Sequence, residues 1–187
     1  MTMVPLGYML KSVTSPAPDW LNAPGVVAVH SLSNCISPDL GDYIPMWCHN
    51  GWWLFDTPDA ADNVALTMGT SVDSLTLFYY EAFHQQFDEE SETWMPFAPN
   101  DFATAVVAPY SAVLSGFDVV TFSVGTSPEC SPLSCNRLAE SLKVNQNCLF
   151  DSFDEARAAI ENGSFRNSEP GPYRIIAIHA VDNFQAP

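Results

Sequence analysis

The chain predicts an α+β fold made of two weakly similar halves, packed about a pseudo-twofold axis with helices covering one face of the sheet. Three features lead there: a pair of near-matching octapeptides, β-branched runs around each, and a glycine where each following helix should stop. The octapeptides are "LFDTPDAA", Leu54 to Ala61, and "LFDSFDEA", Leu149 to Ala156, at an offset of 95 residues. Self-similarity at a fixed offset is the sequence mark of a repeated structural unit.

Taken in order, "GYMLKSV" (7–13) reads as an extra first strand and "VVAVHSL" (26–32) as a second, both apolar and the latter rich in β-branched residues. A helix starts after Thr57, a capping residue followed by Pro58 at the first helical position, and ends at Gly69. "LTLFYYEAF" (75–83) is the next strand, although the apolar run "EAFHQQF" (81–87) also fits a helical period. The stretch 94–115, bearing Pro and Ala, reads as a linker between halves of roughly 1–93 and 116–187. In the second half "DVVTFSV" (118–124) is a strand. A capping box, Ser152 with Glu155, opens a helix that Gly163 closes, and "YRIIAIHAV" (173–181) is the last strand, entered through the turn of "EPGPYRI". Each half thus runs strand, loop, strand, helix, strand. At 187 residues the halves form one compact domain, either as one sheet or as two.

The formal charge of −16 arises from 22 acids against 6 Lys+Arg. Bases are scarce rather than acids dense, so nucleic acid and anionic membranes are excluded as partners while a basic protein would be attracted. No apolar run reaches the ~18 residues of a membrane span, and the opening "MTMVPLGYMLKSV" lacks the marks of a secretion signal. Together with five cysteines, an odd number, this points to a reducing, cytoplasmic setting.

The loop "SPECSPLSCN" (127–136) offers the chemistry that most needs weighing, since the loop after the first strand of each half carries a cysteine, Cys35 in one and Cys130 and Cys135 in the other. A cysteine enzyme would use Cys135 or Cys130 as a thiolate, stabilised by a helix starting near "CNRLAESL", with His179 or His30 as base. A zinc-stabilised module would use Cys130, Cys135 and Cys148, with a fourth ligand from His179, His30 or the Cys48–His49 pair. Structural cysteines in a repeated loop are the simpler reading, and no metal or other cofactor is expected. Asp56/Asp59 and Asp151/Asp154 sit at helix starts in both halves, where carboxylates complement the helix dipole.

The expected binding surface is aromatic and acidic. Trp47, Trp52, Trp53, Tyr79 and Tyr80 belong to a density of rings too great for the core alone, and Asp88, Glu89, Glu90 and Glu92 form the tightest acidic run. The chain is expected to be a protein-binding module, of the inhibitor or immunity type, acting on a basic partner and able to form a homodimer. No phosphate-binding glycine loop, nucleophile elbow or His-Glu-x-x-His helix stands against that reading.

Overall fold

Thirteen residues, Thr76–Asp88, form the longest strand, β2, whose β-branched and aromatic content suits a pleated surface buried on both sides. The computed structural model describes residues 2–32, 50, 52–67, 69, 71–72, 75–96, 105–122 and 128–181. Among these, β2 joins β1 (Met3–Lys11), β3 (Thr93–Pro96), β4 (Ala112–Thr121) and β5 (Tyr173–Val181) in one antiparallel, unclosed sheet. Its order is β1-β2-β5-β4, with β3 paired to the far end of β2.

Two helices pack beside it. Helix α1 (Pro58–Thr67) contacts β1, and α2 (Phe153–Glu161) contacts β4 and β5. Their starts follow the caps expected: the Thr57 hydroxyl accepts from the Ala60 N–H at 3.2 Å and the Ser152 hydroxyl from the Glu155 N–H at 3.2 Å. Gly163, at φ 74°, ends α2 by donating to the Ile160 carbonyl. Phe153 seats α2 on the sheet, its ring centroid 4.7 Å from Phe83 and 6.3 Å from Phe117.

Strand alternation sorts the sheet into two faces. Tyr79, His179, Phe117, Val119 and Ile175 share the face that α2 covers, whereas Phe78, Tyr80, Ile176, Ile178 and Asp118 point to the other, as the registers dictate. Buried side chains form two clusters. One gathers Phe117, Val119, Ile160, Phe165 and Tyr173 with α2; the other draws on both faces, gathering Trp52, Leu54, Phe78, Tyr80 and Ile178 with Tyr8 and Tyr79 and with Ala61 and Ala65 of α1.

A local arrangement occurs twice. Tyr8 and Phe55 exchange both backbone hydrogen bonds, at 2.8 and 2.9 Å, as do Phe117 and Phe150 at 2.9 Å each. Next to the first, the Asn50 amide donates to the Leu6 carbonyl; next to the second, the Asn145 amide donates to the Ser115 carbonyl. Trp53 and Cys148, each with φ 62°, occupy the turns between asparagine and phenylalanine.

Several expectations need correction. Residues 26–32 make no strand: beyond one bridge from Val29 to Thr14, the Val27, Ala28 and His30 N–H groups donate to the Gln146 and Asn147 carbonyls of an irregular segment, while Val26 donates to Ala23 and Leu32 to the Asp118 carboxyl. The run 81–87 is strand throughout, since pairing with β1, β5 and β3 outweighs its ambiguous period. Within the expected linker 94–115 lie most of β3 and the start of β4. The helix expected near "CNRLAESL" is a single 3-10 turn, Leu138–Glu140, preceded by Arg137 in a left-handed conformation.

Candidate functional site

The acidic run 88–92 forms the turn between β2 and β3, and its carboxylates divide their work. Asp88 accepts from the backbone N–H and hydroxyl of Ser91 and so closes the turn itself. Glu89 reaches across to the entry of β5, accepting from the Gly171 N–H at 2.7 Å. Glu92 pairs with the Arg166 guanidinium, while Glu90 is exposed.

Glu89 and Glu92 thereby meet the end of α2. Between the turn, α2 and the start of β5 lies a cavity of about 320 Å³, lined by Phe87, Ile160, Phe165 and Tyr173 with Glu89, Glu92, Glu161, Gly163 and Arg166. That volume is at the small end of the ~300–1,000 Å³ usual for ligand pockets. Phe87 and Tyr173 are direct cross-strand partners, and the Phe165 ring lies 5.5 Å from that of Tyr173. The Tyr173 hydroxyl is already committed, donating to the Phe165 or Glu169 carbonyl at 3.0 and 2.9 Å. The floor is therefore apolar although one of its rings is a phenol.

Carboxylates supply the rim. Glu161 accepts from Arg157 at 2.7 Å and from the Trp94 indole at 2.8 Å, and the Arg157 bond, with the indole second, holds its carboxyl below the usual range. Trp94 stands over Phe87 at 5.4 Å and Arg157 over Trp94 at 5.5 Å, fixing this wall. With three carboxylates against Arg166, the lining carries an excess of negative charge over an apolar floor.

The "SPECSPLSCN" loop is held by its serines. Asp118, fully buried on β4, accepts from the Ser131 hydroxyl at 2.7 Å, the Val119 N–H at 2.9 Å and the Leu32 N–H at 3.2 Å. Ser134 meets the Ser31 hydroxyl at 3.2 Å, and the buried Lys11 ammonium donates to the Ser31 carbonyl. One carboxylate thus ties two distant loops together. Burial, reinforced by the nearby Cys135, raises the Asp118 carboxyl to about 7 against the opposing Ser131 bond.

Cys130, Cys135 and Cys148 lie around this knot. Cys130 is buried and its thiol donates to Asn136 at 3.5 Å. Burial pushes the Cys148 thiol up to about 12, and Cys135 is half-buried. His179 faces the other side of the sheet, where its Nε2 lies 3.2 Å from Glu81 Oε2. His30 is on the loop side but bonds Ser115, and burial with the Lys11 charge lowers it to about 4. Strand alternation is what parts His179 from Cys135. Among the described residues no group of three or more His, Cys, Asp or Glu could hold a metal, so Cys130, Cys135 and Cys148 do not converge as zinc ligands.

The expected aromatic surface is mostly interior. Trp52, Tyr79 and Tyr80 are each 2% exposed or less, because both faces of β2 are covered and Trp52 packs on Phe122. Trp53 is half-buried; Trp47, Cys35, Cys48 and His49 lie outside the described residues. The acidic run does reach the cavity, through Glu89 and Glu92, but Phe87, Glu161, Phe165, Arg166 and Tyr173 were not signalled as site residues by any motif.

No protein-family model, no curated protein and no solved structure matches this chain.

Proposed function

We propose that this chain is a protein-binding module that takes a cationic side chain of a basic partner into the cavity between the β2–β3 turn, α2 and β5. The observation that carries the reading is the combination of an apolar floor, Phe87, Ile160, Phe165 and Tyr173, with a rim of Glu89, Glu92 and Glu161. Lysine and arginine have the same two-part character, an apolar stem and a charged head. The net charge of −16 would add long-range attraction for a basic surface. An inhibitor or immunity-type role, in a cytoplasmic setting, follows from such capture of a basic protein.

We also infer that the chain arose by internal duplication with a pseudo-twofold relation between its halves. The paired backbone exchanges Tyr8–Phe55 and Phe117–Phe150, each beside an asparagine that donates to an adjacent strand, support it. The acidic turn, and the cavity it walls, belong to one half's meeting with the other.

Calorimetric titration with a short lysine- and arginine-bearing peptide tests the binding reading. Binding should weaken as salt rises, and Glu89→Gln and Glu161→Gln should each lower affinity about twofold to fivefold. Binding indifferent to both substitutions would remove the cavity from the account.

A further inference from the structure

The strands at the two ends of the β1-β2-β5-β4 order are finished differently. Each carries a bulge near its start, between Pro5 and Gly7 in β1 and between Leu114 and Gly116 in β4. Before its bulge β1 places Pro5, which has no N–H to offer a further strand, and proline is one of the ways proteins close an open edge. β4 has neither proline nor charge there: Ala112, Val113 and Leu114 are all apolar, and Val113 and Leu114 are exposed. Farther along, the outer side of β4 is occupied, by the Asn145 and Asn147 amides on the Ser115 carbonyl, by Phe150 at Phe117 and by Cys130 at Thr121. Among the described residues no strand or bridge lies outside Ala112–Leu114.

The apolar surface continues into the segment before the strand. Of the eight large apolar side chains exposed among the described residues, Val107, Tyr110, Val113 and Leu114 lie together in sequence, and Tyr110 is wholly exposed. The Tyr8 hydroxyl donates to the Val107 carbonyl, which holds this segment on the face that Leu114 shares through the row Tyr8, Tyr79, His179, Leu114. Val113 points to the opposite face. Residues 102–117 hold no charged side chain, in a chain of net charge −16.

We infer that this edge is an interface between two copies of the chain, β4 of one protomer adding antiparallel to β4 of its partner about a twofold axis near Val113. Charge selects the occupant. A basic partner is drawn to carboxylates, which this strip lacks, whereas two copies that repel each other elsewhere can approach closely where charge is missing. A strand added at an edge places side chains on both faces in alternation, and so covers Val113 on one and Leu114 on the other. Two copies joined through Val107, Tyr110, Val113, Leu114 and the adjoining backbone remove roughly 1,000 Å² from water, the lower bound of a specific interface. β4 meets β5 at Thr121 and Tyr173 beside the cavity and at Ala112 and Val181 beside the interface, so both cavities stay open and the inference is independent of what they bind.

Sedimentation equilibrium of the full chain from about 1 to 200 µM tests it. A monomer–dimer equilibrium should appear and tighten as salt rises, because like-charged chains are being joined; binding at the cavity should weaken with salt, so the two readings fail separately. Tyr110→Ser should weaken the dimer at least about fivefold. Val113→Glu, which sets two carboxylates opposite each other across the axis, should abolish it over that range, its unfolding temperature being checked alongside; should this variant fail to fold, Tyr110→Ser carries the test, since a wholly exposed ring lies outside the packing. A monomer throughout would overturn the inference and leave the edge to another protein. A dimer indifferent to both substitutions, or one loosened by salt, would overturn it as well.

Discussion

Gly7 and Gly116 stand at the two ends of one cross-strand row, in which Gly7 pairs with Tyr80, Tyr80 with Ile178, and Ile178 with Gly116. Their φ values are 140° and 143°, and a Cβ added to either would lie 2.6 Å from the Phe55 carbonyl oxygen or 2.7 Å from that of Phe150. Gly7→Ala and Gly116→Ala should therefore each destabilise by about 2–4 kcal/mol, and by similar amounts, in urea unfolding. A cost confined to one of them would speak against the inferred duplication.

Asn145 donates to the Ser115 carbonyl and accepts from the Asn147 and Leu149 N–H groups. Replacing it with alanine removes the acceptor of the Asn147 and Leu149 N–H groups and leaves the Ser115 carbonyl with the Asn147 side-chain amide. Asn145→Ala should lower stability by about 2–3 kcal/mol, read from the same unfolding curves.

Half-buried His30 and fully buried Asp118 give the stability a pH profile with opposing slopes. His30, lowered to about 4 from 6.5, is neutral when folded, so the unfolded chain binds more protons between those values and stability rises with pH there. Asp118, raised to about 7 from 3.8, is protonated when folded over much of that range, and its contribution is lost as pH rises through 7. The two largely cancel from about pH 4 to 6.5. Above that, stability should fall up to about pH 8. Asp118→Asn should abolish the fall and leave a rise from pH 4 to 6.5, measurable by urea unfolding across the range.

Thiol chemistry separates structural from reactive cysteines. Of the three described, half-buried Cys135 should label with iodoacetamide well before Cys130 and Cys148, as followed by peptide mass mapping. Cys135→Ala should leave peptide binding unchanged.

Legibility followed the range of the interactions. Thr57 and Ser152 were readable as caps because the N–H groups they serve lie three residues on. β2 and β5 were readable because their apolar content is local, whereas residues 26–32 share that content and yet the N–H groups of Val27, Ala28 and His30 go to Gln146 and Asn147, more than a hundred residues away. The cavity was hidden for the same reason: Phe87 meets Tyr173 only through the β2–β5 register, which shifts between Ala82 and Gln86. The acidic run could be seen as a cluster, but its sorting into turn closure and cavity rim depends on Gly171 and Arg166 from the other half. Aromatic density misled for a physical reason too, because both faces of β2 are covered, so rings that alternate between them are buried whichever way they point.

The most direct measurement is a backbone amide NMR titration of the whole chain with the lysine- and arginine-bearing peptide. Shifts should concentrate at residues 87–92, 160–166 and 171–173, the walls of the cavity. Shifts clustered instead around the 130–136 loop, or none at saturating peptide, would contradict the proposed binding.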